Sequence, residues 1–112
     1  MELNTSKTGD VITIILKGRI DGNTAPDIEQ KLLSLISEGS HKLVTDLSGV
    51  GFISSSGLRT LLATLKEAKK ERGDLRLAGI QGQVQEVFDL TGFSDIFKTY
   101  ASAEDAAGSF SD

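Results

Sequence analysis

The feature that most constrains this chain is an alternation. Short β-branched or leucine-rich runs are each followed by a stretch with helical periodicity. Val11-Ile12-Thr13-Ile14-Ile15-Leu16 is bounded by Gly9-Asp10 and Gly18, and reads as a strand buried on both faces. Leu43 to Leu47 reads as a second buried strand, and Leu75 and Leu77 mark a third. Ile28, Leu32, Leu35 and Ile36 recur at helical spacing between the first two strands. Leu58, Leu61, Leu62, Leu65 and Ala68 form one apolar stripe between the second and third. Strand, helix, strand, helix, strand in so short a chain implies crossover connections. The expected fold is α/β, a mixed and mainly parallel β-sheet with helices packed on it.

The punctuation agrees with this order. Asn23 or Thr24 can cap the first helix, Pro26 suits its first turn, and Gly39 stands at C′. Ser48 to Phe52 reads as a glycine-punctuated loop. The second helix ends before Gly73-Asp74, and Val84, Val87 and Phe88 mark a third that stops at Thr91-Gly92. Leu3 to Ser6 reads as a weak first strand, joined to the next through a hairpin at Lys7 to Asp10. Phe97 to Tyr100 reads as an edge strand, and Ser102 to Asp105 resembles a capping box before a last short helix. Phe93, Ile96 and Phe97 are expected to pin this tail to the core, with Gly108 to Asp112 fraying. Residues 1–112 are expected to form a single domain with its core at about 3–108.

Composition narrows the function. A chain of 112 residues, 38% hydrophobic and 25% charged, can bury one compact core without a metal or disulfide staple. There are no cysteines, which removes disulfides, thiolate chemistry and cysteine-held metals. The net charge is −4 and the isoelectric point near 4.9, whereas a nucleic-acid binder needs a basic face. Lys66, Lys69, Lys70 and Arg72 are interleaved with Glu67 and Glu71, which reads as a solvated helix face. The longest apolar run falls far short of the about 18 residues of a membrane span. MELNTSKTGD lacks an apolar signal core, so the expected location is the cytoplasm.

Catalytic sets are poorly supplied. The single histidine, His41, lies in the polar turn Gly39-Ser40-His41-Lys42, at the strand end where parallel-sheet sites are not usually found. No residues have metal-ligand spacing, and no cofactor is implied. Gly49-Val50-Gly51 completes no phosphate-binding motif, and Arg59 after Gly57-Leu58 is not a P-loop lysine. Asp21 and Asp46 could approach each other at the ends of neighbouring strands, or each could simply order its own loop.

The triplet Ser54-Ser55-Ser56 then stands out, because it opens the second helix at Gly57. A cap needs one hydroxyl, from Ser54 or Ser55, and two are left over. A helix start carries unpaired amides and a positive dipole end, so it tolerates an added phosphate dianion. Such a phosphate would change the charge and bulk of an exposed surface and block a partner docked there, without unfolding the domain.

These residues resemble a known family. Thr45 to Ala63, TDLSGVGFISSSGLRTLLA, is similar to the signature of the STAS domain as found in bacterial anti-sigma factor antagonists. Gly18-Arg19-Ile20-Asp21, Leu77-Ala78-Gly79-Ile80 and Val84 to Phe97 resemble the family's flanking segments in the right order, covering roughly residues 3–108. The resemblance implies a protein that is not an enzyme but a partner switch. Unphosphorylated, it binds an anti-sigma factor that is also a serine kinase and so frees the sigma factor; phosphorylated by that kinase it lets go, and a phosphatase resets it. The family's phosphorylated serine lies two residues before the glycine, which corresponds to Ser55, with Ser54 the alternative acceptor. Many antagonists carry aspartate where this chain has Ser54. The resemblance gives Asp21, Asp46, Ser54, Ser56, Gly57 and Arg59 supporting or partner-binding roles. Arg59 and Arg19 are expected on the exposed side, available to partner carboxylates or to the phosphate. The chain is expected to be a monomer. The alternative is a constitutive STAS subunit of a lipid-transport or signalling assembly, with no phosphate turnover.

Overall fold

The computed structural model describes residues 1–111. The elements run β1 (Glu2–Thr8), β2 (Val11–Ile20), α1 (Ala25–Ser37), β3 (Lys42–Ile53), α2 (Ser55–Lys70), β4 (Asp74–Ala78), α3 (Gly82–Thr91), β5 (Thr99–Tyr100) and α4 (Ala103–Gly108). Single 3-10 turns follow α3 and α4, at Phe93–Asp95 and Ser109–Ser111. The five strands form one sheet in the order β1-β2-β3-β4-β5. β1 is antiparallel to β2, and all other neighbours are parallel. The mixed, mainly parallel sheet expected from the alternation is present.

The β1–β2 hairpin closes between Thr8 and Val11, with Gly9 at φ +62 supplying the positive φ that such a turn needs. Each parallel pair is joined by a helix, and α1, α2 and α3 all cover the same face of the sheet. The period-2 pattern of the strands explains why. Ile14 and Leu16 of β2, Leu43 and Leu47 of β3, and Leu75 and Leu77 of β4 point to this face. They are sealed by Ile28, Leu32 and Ile36 of α1 and by Leu58, Leu61 and Leu65 of α2. Phe88, Phe93 and Phe97 close the end of this core with ring centroids 6.1–6.2 Å apart. Phe97 is buried, but Ile96, expected beside it, is 47% exposed.

The opposite face is covered by α4 and the 3-10 turn after it. Val11, Val44 and Ala78 meet Ala106 there, with Ala103, Ala107 and Phe110 around them. Small side chains let so short a helix lie close to the sheet. Ser102 caps it, accepting from the Asp105 amide at 3.1 Å as the sequence suggests. The Arg76 guanidinium stacks 3.9 Å from the Phe110 ring centroid and donates to Ser109 Oγ at 2.6 Å. Residues 109–111, expected to fray, are thus anchored; Asp112 lies outside the described residues.

Two boundaries differ from expectation and matter for function. Gly18 does not end β2. It sits inside it at φ +120, where the β2–β3 register slips, and the strand runs on to Ile20. Likewise Ser48 to Phe52 is not a loop. β3 continues through it, pairing Gly49, Val50, Phe52 and Ile53 with Lys17, Gly18, Arg19 and Ile20. Glycine at 49 is required by close approach, since a Cβ there would fall 2.8 Å from Lys17 Cγ. β3 is therefore 12 residues long while its other neighbour, β4, stops at Ala78 opposite Asp46. Past Asp46 one edge of β3 has no strand beside it.

Candidate functional site

The site forms where β3 outruns β4 and turns into α2. Two glutamines of the α3 start take the place of the missing strand. Gln81 Nε2 donates to the Ser48 carbonyl at 2.8 Å. Gln83 grips the peptide groups of Ile53, its Oε1 accepting from the Ile53 amide at 3.0 Å and its Nε2 donating to the Ile53 carbonyl at 3.4 Å. On the other edge the Ser54 amide donates to the Ile20 carbonyl at 2.8 Å. The last residue of the strand is thus held from both sides just before the serines begin.

The three serines have different environments. Ser54 is the N-cap residue, extended at φ −98 and ψ 176, but its side chain makes no capping bond. Its Oγ is buried and has no partner among the described residues. Of the two hydroxyls that the sequence offers as caps, Ser54 and Ser55, the one at the N-cap position makes no capping bond. Ser55 is the first helical residue and is exposed. Ser56 is half-buried, and its Oγ accepts from Arg59 Nη2 at 3.2 Å. Gly57 is buried against the strands: a Cβ there would lie 2.6 Å from both Ile20 Cγ2 and Ile53 Cγ1. Its smallness serves the packing of α2 on β2 and β3.

Beside the serines, the loop after β2 is ordered by Asp21. Asp21 Oδ1 accepts from the Asn23 amide at 3.0 Å and the Thr24 amide at 3.3 Å. Thr24, the α1 N-cap, does not cap through its side chain; its Oγ1 accepts from the Asp21 amide at 2.9 Å and donates to the Arg19 carbonyl at 2.8 Å. The Asn23 amide above all, then the Thr24 amide and the Arg19 guanidinium, hold the Asp21 carboxyl below the ordinary carboxylate range, with partial desolvation opposing them. Arg19 Nε lies 3.7 Å from Asp21 Oδ2, and its Cζ sits 4.1 Å from the centre of the Phe52 ring. A shallow cleft of about 260 Å³ runs between the starts of α1 and α2, lined by Gly22, Pro26, Glu29, Ser56, Arg59 and Thr60 among others.

Asp46 does not join this group. It registers with Ile15 and Ala78, while Asp21 lies six residues beyond Ile15, roughly 20 Å further along the strand. The continuation of β3 separates the two carboxylates, which the loop reading had allowed to meet. Asp46 Oδ1 accepts from the Ser48 amide at 3.0 Å and faces a separate cleft beside the start of α4. His41 stands at the opposite end of β3, where its carbonyl accepts from the Asp74 amide at 3.0 Å. The sequence reading missed Gln81 and Gln83, because a glutamine at a helix start carries no periodicity or spacing signal.

The arrangement presents the exposed Ser55 and Arg59 beside a shallow cleft at the start of α2. The STAS domain family model matches residues 2–106. The chain belongs to the STAS domain family. BtrV of Bordetella bronchiseptica, a protein named as an anti-sigma factor antagonist, is 33% identical to this STAS chain over 110 residues, covering 98% of this chain and 95% of BtrV. An anti-sigma factor antagonist from Mycobacterium paratuberculosis has a crystal structure that matches with a TM-score of 0.89 at 30% identity, covering 99% of this chain and 94% of that one. The Bacillus cell fate determinant SpoIIAA in its phosphorylated form shares the STAS fold, with a TM-score of 0.77 at 21% identity over 97% of this chain and 99% of that one. Further curated relatives, from Staphylococcus epidermidis and Bacillus subtilis, are named anti-sigma-B factor antagonists. No helix among the described residues is long and apolar enough to cross a membrane.

Proposed function

We propose that this STAS domain is an anti-sigma factor antagonist switched by phosphorylation of Ser55. Unphosphorylated, it binds in the cytoplasm, as a monomer, to an anti-sigma factor that is also a serine kinase, and so frees the sigma factor. The kinase transfers the terminal phosphoryl group of ATP to Ser55 Oγ, which gives up its proton as ADP leaves. The added charge and bulk break the docked interface, and a phosphatase restores the hydroxyl.

The observation that carries this reading is the inequality of the three serines. Ser54 Oγ is buried and Ser56 Oγ is engaged by Arg59, whereas Ser55 is exposed. An acceptor hydroxyl must reach an incoming phosphoryl group, and Ser55 is the member of the triplet best placed to do so. Its position as first residue of α2 also suits a dianion, which the helix amides and dipole stabilise. Asp21 shapes the adjoining loop, and Arg19, Ser56 and Arg59 form the partner surface around the acceptor.

Phosphosite mapping on protein from its native cells tests this. Trypsin releases Leu43 to Arg59 as one peptide holding Ser48 and the triplet. Phosphate on Ser55, varying with growth condition, is expected. Ser55→Ala should fold normally and hold its partner permanently, and Ser55→Asp should fold normally and bind weakly. Phosphate on Ser54 would move the site; its absence under all conditions, with a partner that still co-purifies, would favour a constitutive subunit.

A further inference from the structure

Building on the Ser55 reading, we infer that Arg59 is the receiving group for the phosphate: once Ser55 is phosphorylated, the guanidinium leaves the Ser56 hydroxyl and clamps the dianion. Ser55 and Arg59 are four residues apart on α2 and so share one helix face. Helical side chains lean toward the N-terminus, which carries the Arg59 guanidinium back over the turn that holds Ser55 and Ser56. It already reaches that far, since Nη2 meets Ser56 Oγ at 3.2 Å.

Its present partner is neutral. Among the described residues, no carboxylate lies within ion-pair distance of Arg59. The other cation nearby is already engaged: Arg19 is paired with Asp21 and stacked on Phe52. Glu29 of α1 shares the cleft with Arg59, but its carboxylate accepts from Thr60 Oγ1 at 3.1 Å. Near the start of α2, Arg19 and Asp21 pair with each other, Glu29 keeps its negative charge while accepting from Thr60, and Arg59 has no carboxylate in ion-pair contact among the described residues. A phosphate offers the guanidinium a bidentate, charge-assisted partner that a serine hydroxyl cannot match. The clamp would fix the phosphate against α2 and favour its dianionic form, so that the partner meets a full charge in one place.

The test uses the full chain with phosphoserine installed at position 55 during translation. The second ionisation of the phosphate is followed by phosphorus NMR at low salt in the parent, Arg59→Gln, Arg59→Lys and Arg19→Gln proteins. The parent midpoint is expected to lie about half a pH unit below that of Arg59→Gln, roughly a threefold change in the dissociation constant. Arg59→Lys should recover most of the shift by charge, and Arg19→Gln should move the midpoint by less than Arg59→Gln does. Equal midpoints in parent and Arg59→Gln would overturn the assignment, as would a shift that followed Arg19→Gln instead. Because the phosphate is installed, the outcome is independent of whether cells modify Ser55. Failure of the clamp leaves the switch standing, and failure of the switch leaves the clamp measurable.

Discussion

The side-chain amide of Gln83 pairs with the peptide groups of Ile53 as a neighbouring strand would, accepting from its amide at 3.0 Å and donating to its carbonyl at 3.4 Å. The contact stands directly before the serine triplet, at the point where β3 has lost β4. Replacing Gln83 with Leu keeps the bulk and removes both bonds. The loss should be about 1–3 kcal/mol of stability, because the Ile53 amide is left partly buried and unmet. Urea unfolding measures the loss. Amide exchange should show faster opening at Ile53 and Ser54 than at Val44, which lies in the fully paired half of the strand.

The serines at the two N-cap positions should respond unequally to truncation. Ser102 accepts a capping bond and Ser54 does not. Ser102→Ala should cost about 1 kcal/mol, the ordinary loss of a cap. Ser54→Ala should stay within about 0.5 kcal/mol, since it removes a buried hydroxyl that has no partner to lose. Thermal denaturation of the pair decides the point; a large loss at Ser54 would mean that its hydroxyl is engaged in solution.

Gly57→Ala should destabilise by about 1–3 kcal/mol through overpacking, because its methyl group would lie 2.6 Å from Ile20 Cγ2 and Ile53 Cγ1. Both contacts are to branched atoms close to the backbone, which yield little. Differential scanning calorimetry measures the drop in Tm, and a nuclear Overhauser map should show α2 displaced from β2 and β3. An unchanged Tm would show that α2 can shift without cost.

The Asp21 carboxyl should titrate below the ordinary aspartate value of about 3.9 when followed by carbon-13 NMR. The native state binds this proton less readily than the unfolded chain. The stabilising contribution of the group is therefore complete above the unfolded value and is lost as pH falls through the lowered native one. Arg19→Gln should raise the midpoint only in part, since the Asn23 amide is the main cause of the shift. A return to the ordinary value in Arg19→Gln would reverse that order of causes.

Much of this fold can be read from residue patterns. The apolar runs and helical stripes place β2, β3, β4, α1, α2 and α3 in order, because burial on a sheet and on a helix leaves different periods. Gly39 and Gly92 mark helix ends through a positive φ that few residues adopt, and Ser102 marks one through its capping hydroxyl. The misreadings share a cause. Glycine signals a break in one strand read alone, yet Gly18 and Gly49 are there because two backbones approach or slip within a continuing pair. That error let Asp21 and Asp46 meet when the strand holds them apart. The Ser54 hydroxyl looked like a cap because type and position suited it; its orientation is set by neighbours that sequence order does not reveal. Gln83 is 30 residues from the peptide it holds.

The long reach of β3 has a consequence for cells that hold several such proteins. Arg19 and Ser55 stand at the tip with exposed side chains that the apolar core does not contain, while Gly57, Ile20 and Ile53 bear the packing beneath them. Exposed positions of this kind can change with little cost to folding. On the docking surface proposed above, a duplicated copy would acquire a new partner by drift at the tip alone, while the scaffold stays the same.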